Sequence, residues 1–150
     1  MEKPLQLYYS PGACSLAAHI MLEEIGEPYL TERVVLAEGA HHTPEYLAVN
    51  PRGRVPALRI RDGGKDRVLT ELMAILLFLA RRHPEARVLP DDNEAFMRAA
   101  EWMSWLATTM HQTGVRMMLR PGRFATGADC EKQVFESGRS IVEPGFQDIE

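Results

Sequence analysis

Apolar and polar positions follow two rhythms along the chain, and the switches between them mark its elements. Leu5 to Ser10 (Leu-Gln-Leu-Tyr-Tyr-Ser) alternates and is rich in aromatics, which predicts a strand that Ser10-Pro11-Gly12 breaks with a turn. From Cys14 the interval lengthens to three and four. Leu16, Ala17, Ile20, Met21 and Ile25 predict a helix with Leu16 on its inner stripe and Gly26 as its cap. Tyr29 to Leu36 predicts a second strand, and Thr43-Pro44, an N-cap followed by proline at the first helical position, opens a short helix to about Val49. Val55 to Arg61 alternates again, Asp62-Gly63-Gly64 makes a hairpin turn, and Arg67 to Leu69 returns as the partner strand. Thr70 is expected to cap the next helix. Its Leu72, Ile75, Leu76, Leu79 and Ala80 fall at i, i+3, i+4, i+7 and i+8, the spacing of a stripe packed on a sheet.

His83-Pro84 stops that helix, and Pro90-Asp91-Asp92-Asn93 reads as a linker and N-cap. Residues 1–83 are therefore expected to form one β-α-β-α-β-β-α domain, 84–93 a linker, and 94–150 a helical domain. Within the helical domain a long helix should run from about Glu94 toward Leu119, where Arg120-Pro121-Gly122 ends it. Trp102, Met103, Trp105, Leu106, Met110 and Met118 lie on more than one of its faces, which predicts cover on two sides, by other helices and a second subunit. A final amphipathic piece starts near Asp129.

Composition narrows the class. Hydrophobic residues at 45% and charged residues at 25% place the 150-residue chain among folded globular proteins. Seventeen Lys and Arg against 21 Asp and Glu give a net charge of −4, which argues against a nucleic-acid or anionic-membrane binder. The longest strongly apolar stretch, Leu72 to Ala80, is shorter than the roughly 20 residues a bilayer requires, and Met1-Glu2-Lys3-Pro4 lacks a signal-peptide pattern, so a cytoplasmic protein is expected. Arg52, Arg54, Arg59, Arg61, Lys65 and Arg67 cluster with only Asp62 and Asp66 among them. They would either attract an anionic ligand or, more simply, form the solvated charges of an edge hairpin.

The chemistry-bearing residues are few. Of two cysteines, Cys14 and Cys130, neither belongs to a Cys-x-x-Cys pair, so any thiol chemistry is monothiol chemistry. Cys14 follows a Pro-Gly turn at a helix start, where free N–H groups stabilise a thiolate and should lower its pKa from about 8.5; the competing reading is a buried, inert thiol. Ser15 would donate to a sulfur anion or cap the helix. A cis peptide at Val55-Pro56 would expose the Val55 N–H and C=O to an extended peptide-like ligand. Glu71 at a helix N-terminus is favoured by the dipole alone, yet beside the Cys14 turn it would receive an ammonium group while nearby N–H groups take a carboxylate. His111, seven residues after Ser104, should share its helix face and aim a polar group toward the first domain, unless it is a plain surface histidine. His19 is read as a hydrogen-bonded structural residue, and His41-His42 has no companion at zinc spacing, so no metal is assigned.

Three segments together, Leu7-Tyr8-Tyr9-Ser10-Pro11-Gly12-Ala13-Cys14-Ser15-Leu16, Asn50-Pro51-Arg52-Gly53-Arg54-Val55-Pro56-Ala57-Leu58 and Leu69-Thr70-Glu71, resemble a bacterial glutathione S-transferase, most closely the beta class. Glu101-Trp102-Met103-Ser104-Trp105-Leu106-Ala107 leading to His111 extends the resemblance over about residues 5–120. It implies a thioredoxin-like α/β domain, an all-α second domain, a homodimer, and an enzyme with glutathione as co-substrate that activates its thiol for attack on a small hydrophobic electrophile or for thiol-disulfide and peroxide chemistry. By the resemblance Cys14 faces the glutathione sulfur, Val55 before cis-Pro56 pairs with its cysteinyl backbone, Glu71 binds its γ-glutamyl end, and His111 approaches from the helical domain. Met110, Met117 and Met118 would line the electrophile pocket or simply pack the core. Three departures stand out. Leu72 replaces a small or polar residue and leaves only its backbone N–H for the γ-glutamyl carboxylate; Ser104 and Gln112 stand where Asn and Lys are common; and the sequence ends at Glu150, before later helices, so the helical domain is expected to be incomplete. A glutathione-dependent isomerase or dehalogenase, or a non-catalytic dimeric binding protein, are the alternatives.

Overall fold

The computed structural model describes residues 5–149, which fall into two compact units, one ending at Asp91 and the other beginning at Asp92. The first contains β1 (Leu5–Tyr9), α1 (Ser15–Ile25), β2 (Tyr29–Arg33), α2 (Pro44–Val49), β3 (Ala57–Asp62), β4 (Lys65–Thr70) and α3 (Leu72–Arg82). Its strands form one sheet in the order β2-β1-β3-β4, with β1 and β2 parallel and the other pairs antiparallel. This is the β-α-β-α-β-β-α order that the two rhythms predict, and the thioredoxin-like fold that the resemblance implies.

The period-two alternation of the strands builds the layers. Leu5 and Leu7 of β1 and Leu58 and Ile60 of β3 project to one face, where Ala18 and Leu22 of α1 and Ile75 and Leu79 of α3 cover them. Tyr8 and Ala57 project to the other face, against Val34 and Tyr46 of α2. Across that second face a polar belt crosses all four strands. Gln6 of β1 donates to Glu32 of β2 (2.8 Å) and accepts from Arg61 of β3 (3.0 Å), while Asp66 of β4 pairs with both Arg61 (3.6 Å) and Arg59 (3.4 Å). Arg67 meets Asp62, and the Arg59 guanidinium lies 5.8 Å from the Tyr8 ring centre. Arg59, Arg61 and Arg67 of the cluster are thus engaged in pairs within the sheet, the first two on its central strand β3, rather than standing as the solvated charges of an edge hairpin.

Several expectations change. On α1 the buried residues are Ser15, Ala18 and Leu22, while Leu16 and Ile20 are 57% and 53% exposed. Both series have helical spacing, and the spacing leaves open which one faces the sheet. His19 is held by its ring, 5.3 Å from Tyr9 and 5.8 Å from Tyr29, with Glu23 at 4.0 Å. Strand β2 stops at Arg33 rather than Leu36, because its partner β1 ends at Tyr9, whose carbonyl takes the Val34 N–H (2.8 Å). Thr70 closes β4 instead of capping α3; Glu71 occupies the cap position, without a side-chain capping bond. Thr43 does cap α2, its hydroxyl accepting the Tyr46 N–H at 3.3 Å.

The second unit contains α4 (Asn93–Trp105), a π-helical stretch (Leu106–Val115), α5 (Arg116–Leu119) and α6 (Ala128–Ile149), which passes through Pro144. Asp92 caps α4 through the Ala95 N–H (2.9 Å). The expected single α-helix is widened in its middle: the Arg116 N–H reaches back five residues to the His111 carbonyl, and the Thr113 hydroxyl reaches Thr108 (2.9 Å). Wide turns advance less per residue than an α-helix. Ser104, ahead of the wide turns, is exposed, and His111, within them, is half-buried. Against this stretch lies α6 at a glycine crossing. A Cβ on Gly138 would meet the Gly114 carbonyl oxygen at 2.7 Å and Met117 at 2.8 Å, and a Cβ on Gly145 would collide with the Met110 sulfur. Within the second unit α6 packs on the long helix, and Met97, Trp102 and Leu106 are exposed.

Candidate functional site

The turn between β1 and α1 is closed by one hydroxyl. Ser15, fully buried, donates to the Ser10 carbonyl and accepts the Ser10 N–H, both at 3.1 Å. Its single proton is committed there, so Ser15 shapes the turn and is not free to face a sulfur anion as the sequence suggested. Cys14, just ahead of α1, is half-buried, with its Sγ 3.7 Å from the Val55 carbonyl oxygen. The cysteine turn and the segment leading into β3, 41 residues apart, are thereby in contact.

Here a second expectation reverses. Burial pushes the Cys14 thiol up, the Glu71 carboxylate adds to that, and the backbone N–H groups of Cys14 and Ser15 pull more weakly the other way. A helix start lowers a thiol pKa when its donors outweigh desolvation, and in this turn desolvation wins. Cys14 is accordingly a protonated thiol at neutral pH, a donor toward the Val55 carbonyl.

The Val55-Pro56 bond is cis. Pro56 has no N–H to donate, so β3 begins one residue later, at Ala57. The loop before it is pinned by residues outside the motif's obvious chemistry. Buried Asn50 donates to the Arg54 carbonyl (2.7 Å) and accepts the Arg52 N–H (3.1 Å), and the Tyr46 hydroxyl donates to the same Arg54 carbonyl (2.6 Å). Burial pushes the Tyr46 phenol up to about 12, so it stays a donor. Gly53 lies against the His41 carbonyl, where a Cβ would sit 2.9 Å from the oxygen. The signal for Asn50 was present, since a buried amide in an Asn-Pro-x-Gly turn must find partners.

Glu71 is exposed at the start of α3 with φ 71° and ψ 122°. A positive φ costs a non-glycine residue on the order of 1–3 kcal/mol, and such residues concentrate at ligand sites. Leu72 turns its side chain toward the sheet core and presents only backbone at the helix N-terminus. Cys14, Val55, Pro56, Glu71 and Leu72 all belong to the first unit; Ser104 and His111 belong to the second. There, burial and then Arg116 push His111 below the usual imidazole range, so it is neutral at pH 7. Ser104 gives its carbonyl to Thr108 (2.8 Å). Met110 is buried beneath Gly145, and Met117 and Met118 back onto Gly138, so their contacts are packing contacts. Among the described residues no three His, Cys, Asp or Glu side chains gather as a metal set, and no helix is long and apolar enough to cross a membrane.

The arrangement matches known proteins. A family model for the N-terminal domain of glutathione S-transferase matches residues 12–82. Glutathione S-transferase GstA of Escherichia coli O157:H7 is 38% identical over 119 residues, which cover 78% of this chain and 57% of that protein. A glutathione transferase homologue from Sulfitobacter, solved with bound glutathione, is 35% identical with a TM-score of 0.86, over 96% of this chain and 67% of that one. The chain belongs to the glutathione S-transferase family. Ure2p in complex with glutathione, 23% identical with a TM-score of 0.82, shares the fold. Compared with GstA and the human theta-2 transferase, this family member spans 57% and 55% of the relative's length.

Proposed function

We propose that this transferase-family chain binds glutathione along its first unit and activates the glutathione thiol toward small hydrophobic electrophiles. The observation that carries the reading is the 3.7 Å approach of Cys14 Sγ to the Val55 carbonyl, which joins a thiol donor to the backbone of the cis-proline segment leading into β3. In this reading Val55 pairs with the cysteinyl backbone of the ligand and Glu71 takes the γ-glutamyl ammonium. The Leu72 N–H at the start of α3 takes the γ-glutamyl carboxylate. Cys14 acts as a hydrogen-bond donor to the glutathione sulfur: a donor aimed at developing thiolate charge lowers the ligand's pKa without the protein thiol ionising. The bound glutathione of the Sulfitobacter homologue supports the ligand class. Two free cysteines fit a reducing, cytoplasmic setting, and the family supports a homodimer.

Retention on glutathione-agarose together with dinitrochlorobenzene turnover tests the proposal, and a folded sample that fails both overturns it. The protonated Cys14 favours conjugation over thiol-disulfide exchange. Cys14→Ala should therefore keep measurable conjugation, whereas its complete loss would return the role of nucleophile to Cys14. Sedimentation or light scattering reads the dimer.

A further inference from the structure

At the opposite end of α3 from Glu71 lies a group of charges that the proposed chemistry does not use. His83, the residue after the helix, has Nε2 2.6 Å from Glu27 Oε2 and Nδ1 3.0 Å from Glu85 Oε1. Glu27 belongs to the turn between α1 and β2 and also accepts two bonds from Arg82, at 3.0 Å from its terminal nitrogen and 3.1 Å from Nε. Arg82 reaches on to Asp62 at the end of β3 (3.4 Å), which Arg67 of β4 shares. These are the charged groups facing the imidazole from α3, the hairpin, the α1–β2 turn and the segment beyond it.

The geometry favours the imidazolium. An ionised carboxylate can only accept, so each ring nitrogen must donate, and only the imidazolium carries two N–H groups. A neutral ring would turn a lone pair onto one of the two carboxylates at hydrogen-bond distance. His83 and Glu27 side chains are four-fifths or more buried, which limits screening of this repulsion by water. The backbone gives the contact its leverage: His83 accepts the Ala86 N–H at 3.1 Å and is followed at once by Pro84, where the chain leaves α3 toward Asp92.

We propose that His83 is a proton-dependent latch: as imidazolium it bridges Glu27 of the α1–β2 turn to Glu85 of the segment leaving the first unit, and on losing its proton it keeps only one of those two carboxylates and loosens that segment. The carboxylates hold the imidazole above its usual range despite its burial. The stabilisation is thus complete below the unfolded pKa of about 6.5 and fades as pH rises through the higher folded value.

The segment carries its own reporter, exposed Arg87, where trypsin can cut. In the full chain, cleavage after Arg87, identified by mass and normalised to a free arginyl peptide at each pH, should accelerate severalfold between pH 6 and pH 8.5. In His83→Gln it should be fast at both. An imidazole NMR titration should place His83 above the ordinary histidine value, and Glu27→Gln should bring it down. Should His83 titrate at or below the ordinary value, or His83→Gln keep the pH response of the parent, the latch is overturned. Glu85→Gln, which leaves the Glu27 bond intact, should give an intermediate response and guards against misfolding of the first variant.

Discussion

The two units bury themselves by different means. In the first, thirteen hydrophobic residues from Leu5 to Ala80 are buried on the two faces of a sheet, with β1 and β3 contributing by alternation. In the second, among the described residues only Met110 and Val142 are buried hydrophobics, and the helices meet instead through Gly114, Gly138 and Gly145. One core is filled by side-chain volume and the other is a close crossing of backbones. A filled core loses free energy in proportion to what is removed; a crossing is intolerant of what is added. The chain marks the difference optically: all four tyrosines, Tyr8, Tyr9, Tyr29 and Tyr46, lie in the first unit, and both tryptophans, Trp102 and Trp105, in the second.

This contrast can be broken or sharpened experimentally. Leu58→Ala should lower stability by about 2–5 kcal/mol in the urea transition read by tyrosine absorbance. An unchanged tyrosine midpoint would mean that Leu58 adds nothing to the filled core. Gly138→Val should cost about 1–3 kcal/mol, read by tryptophan fluorescence; an unchanged midpoint would mean that the crossing has slack. Asn50→Ala leaves the Arg52 N–H without its partner and the Arg54 carbonyl with one donor fewer, for about 1–2 kcal/mol in the tyrosine signal. It should also weaken glutathione binding in calorimetry, and full retention of affinity would remove the loop from the site. Asp92→Ala, losing a helix cap, should lower the tryptophan midpoint by about 1 kcal/mol.

The smallest effect on stability comes from comparing the cysteines, one in each unit. Cys14 is half-buried with a raised pKa, so its protonated form is the one the fold favours; that stabilisation is present below the unfolded thiol pKa and declines as pH climbs through the folded value. At pH 8, iodoacetamide should label exposed Cys130 before Cys14, and unfolding in urea should erase the order. Faster labelling of Cys14 in the native protein would restore an activated thiolate.

What the sequence disclosed follows the same division. Periodicity, Thr43-Pro44 and the Asp62-Gly63-Gly64 turn were sufficient for the first unit's element order, because each depends on neighbours within a few residues. The face of α1 was not legible, since Leu16-Ile20 and Ala18-Leu22 share one spacing and only the closure of the turn by Ser15 selects between them. In the site, Cys14, Val55 and Glu71 stood out through local signals. The direction of the Cys14 shift did not, because desolvation depends on segments distant in sequence. The π-helical stretch escaped for a related reason: nothing in Leu106 to Val115 signals wide turns until Gly114 and Gly138 bring α6 against them.

The belt from Glu32 through Gln6 and Arg61 to Asp66 bears on how the sheet assembles. Side chains along a strand change faces at every residue, so pairing β1 one position out of step with its neighbours would drive Gln6 into the leucine layer and turn Leu5 and Leu7 to water. Each polar link therefore acts as a proofreading contact, attainable only when all four strands are aligned correctly. Misassembled sheets forfeit the whole series at once, which widens the energy gap between the native pairing and its nearest competitors.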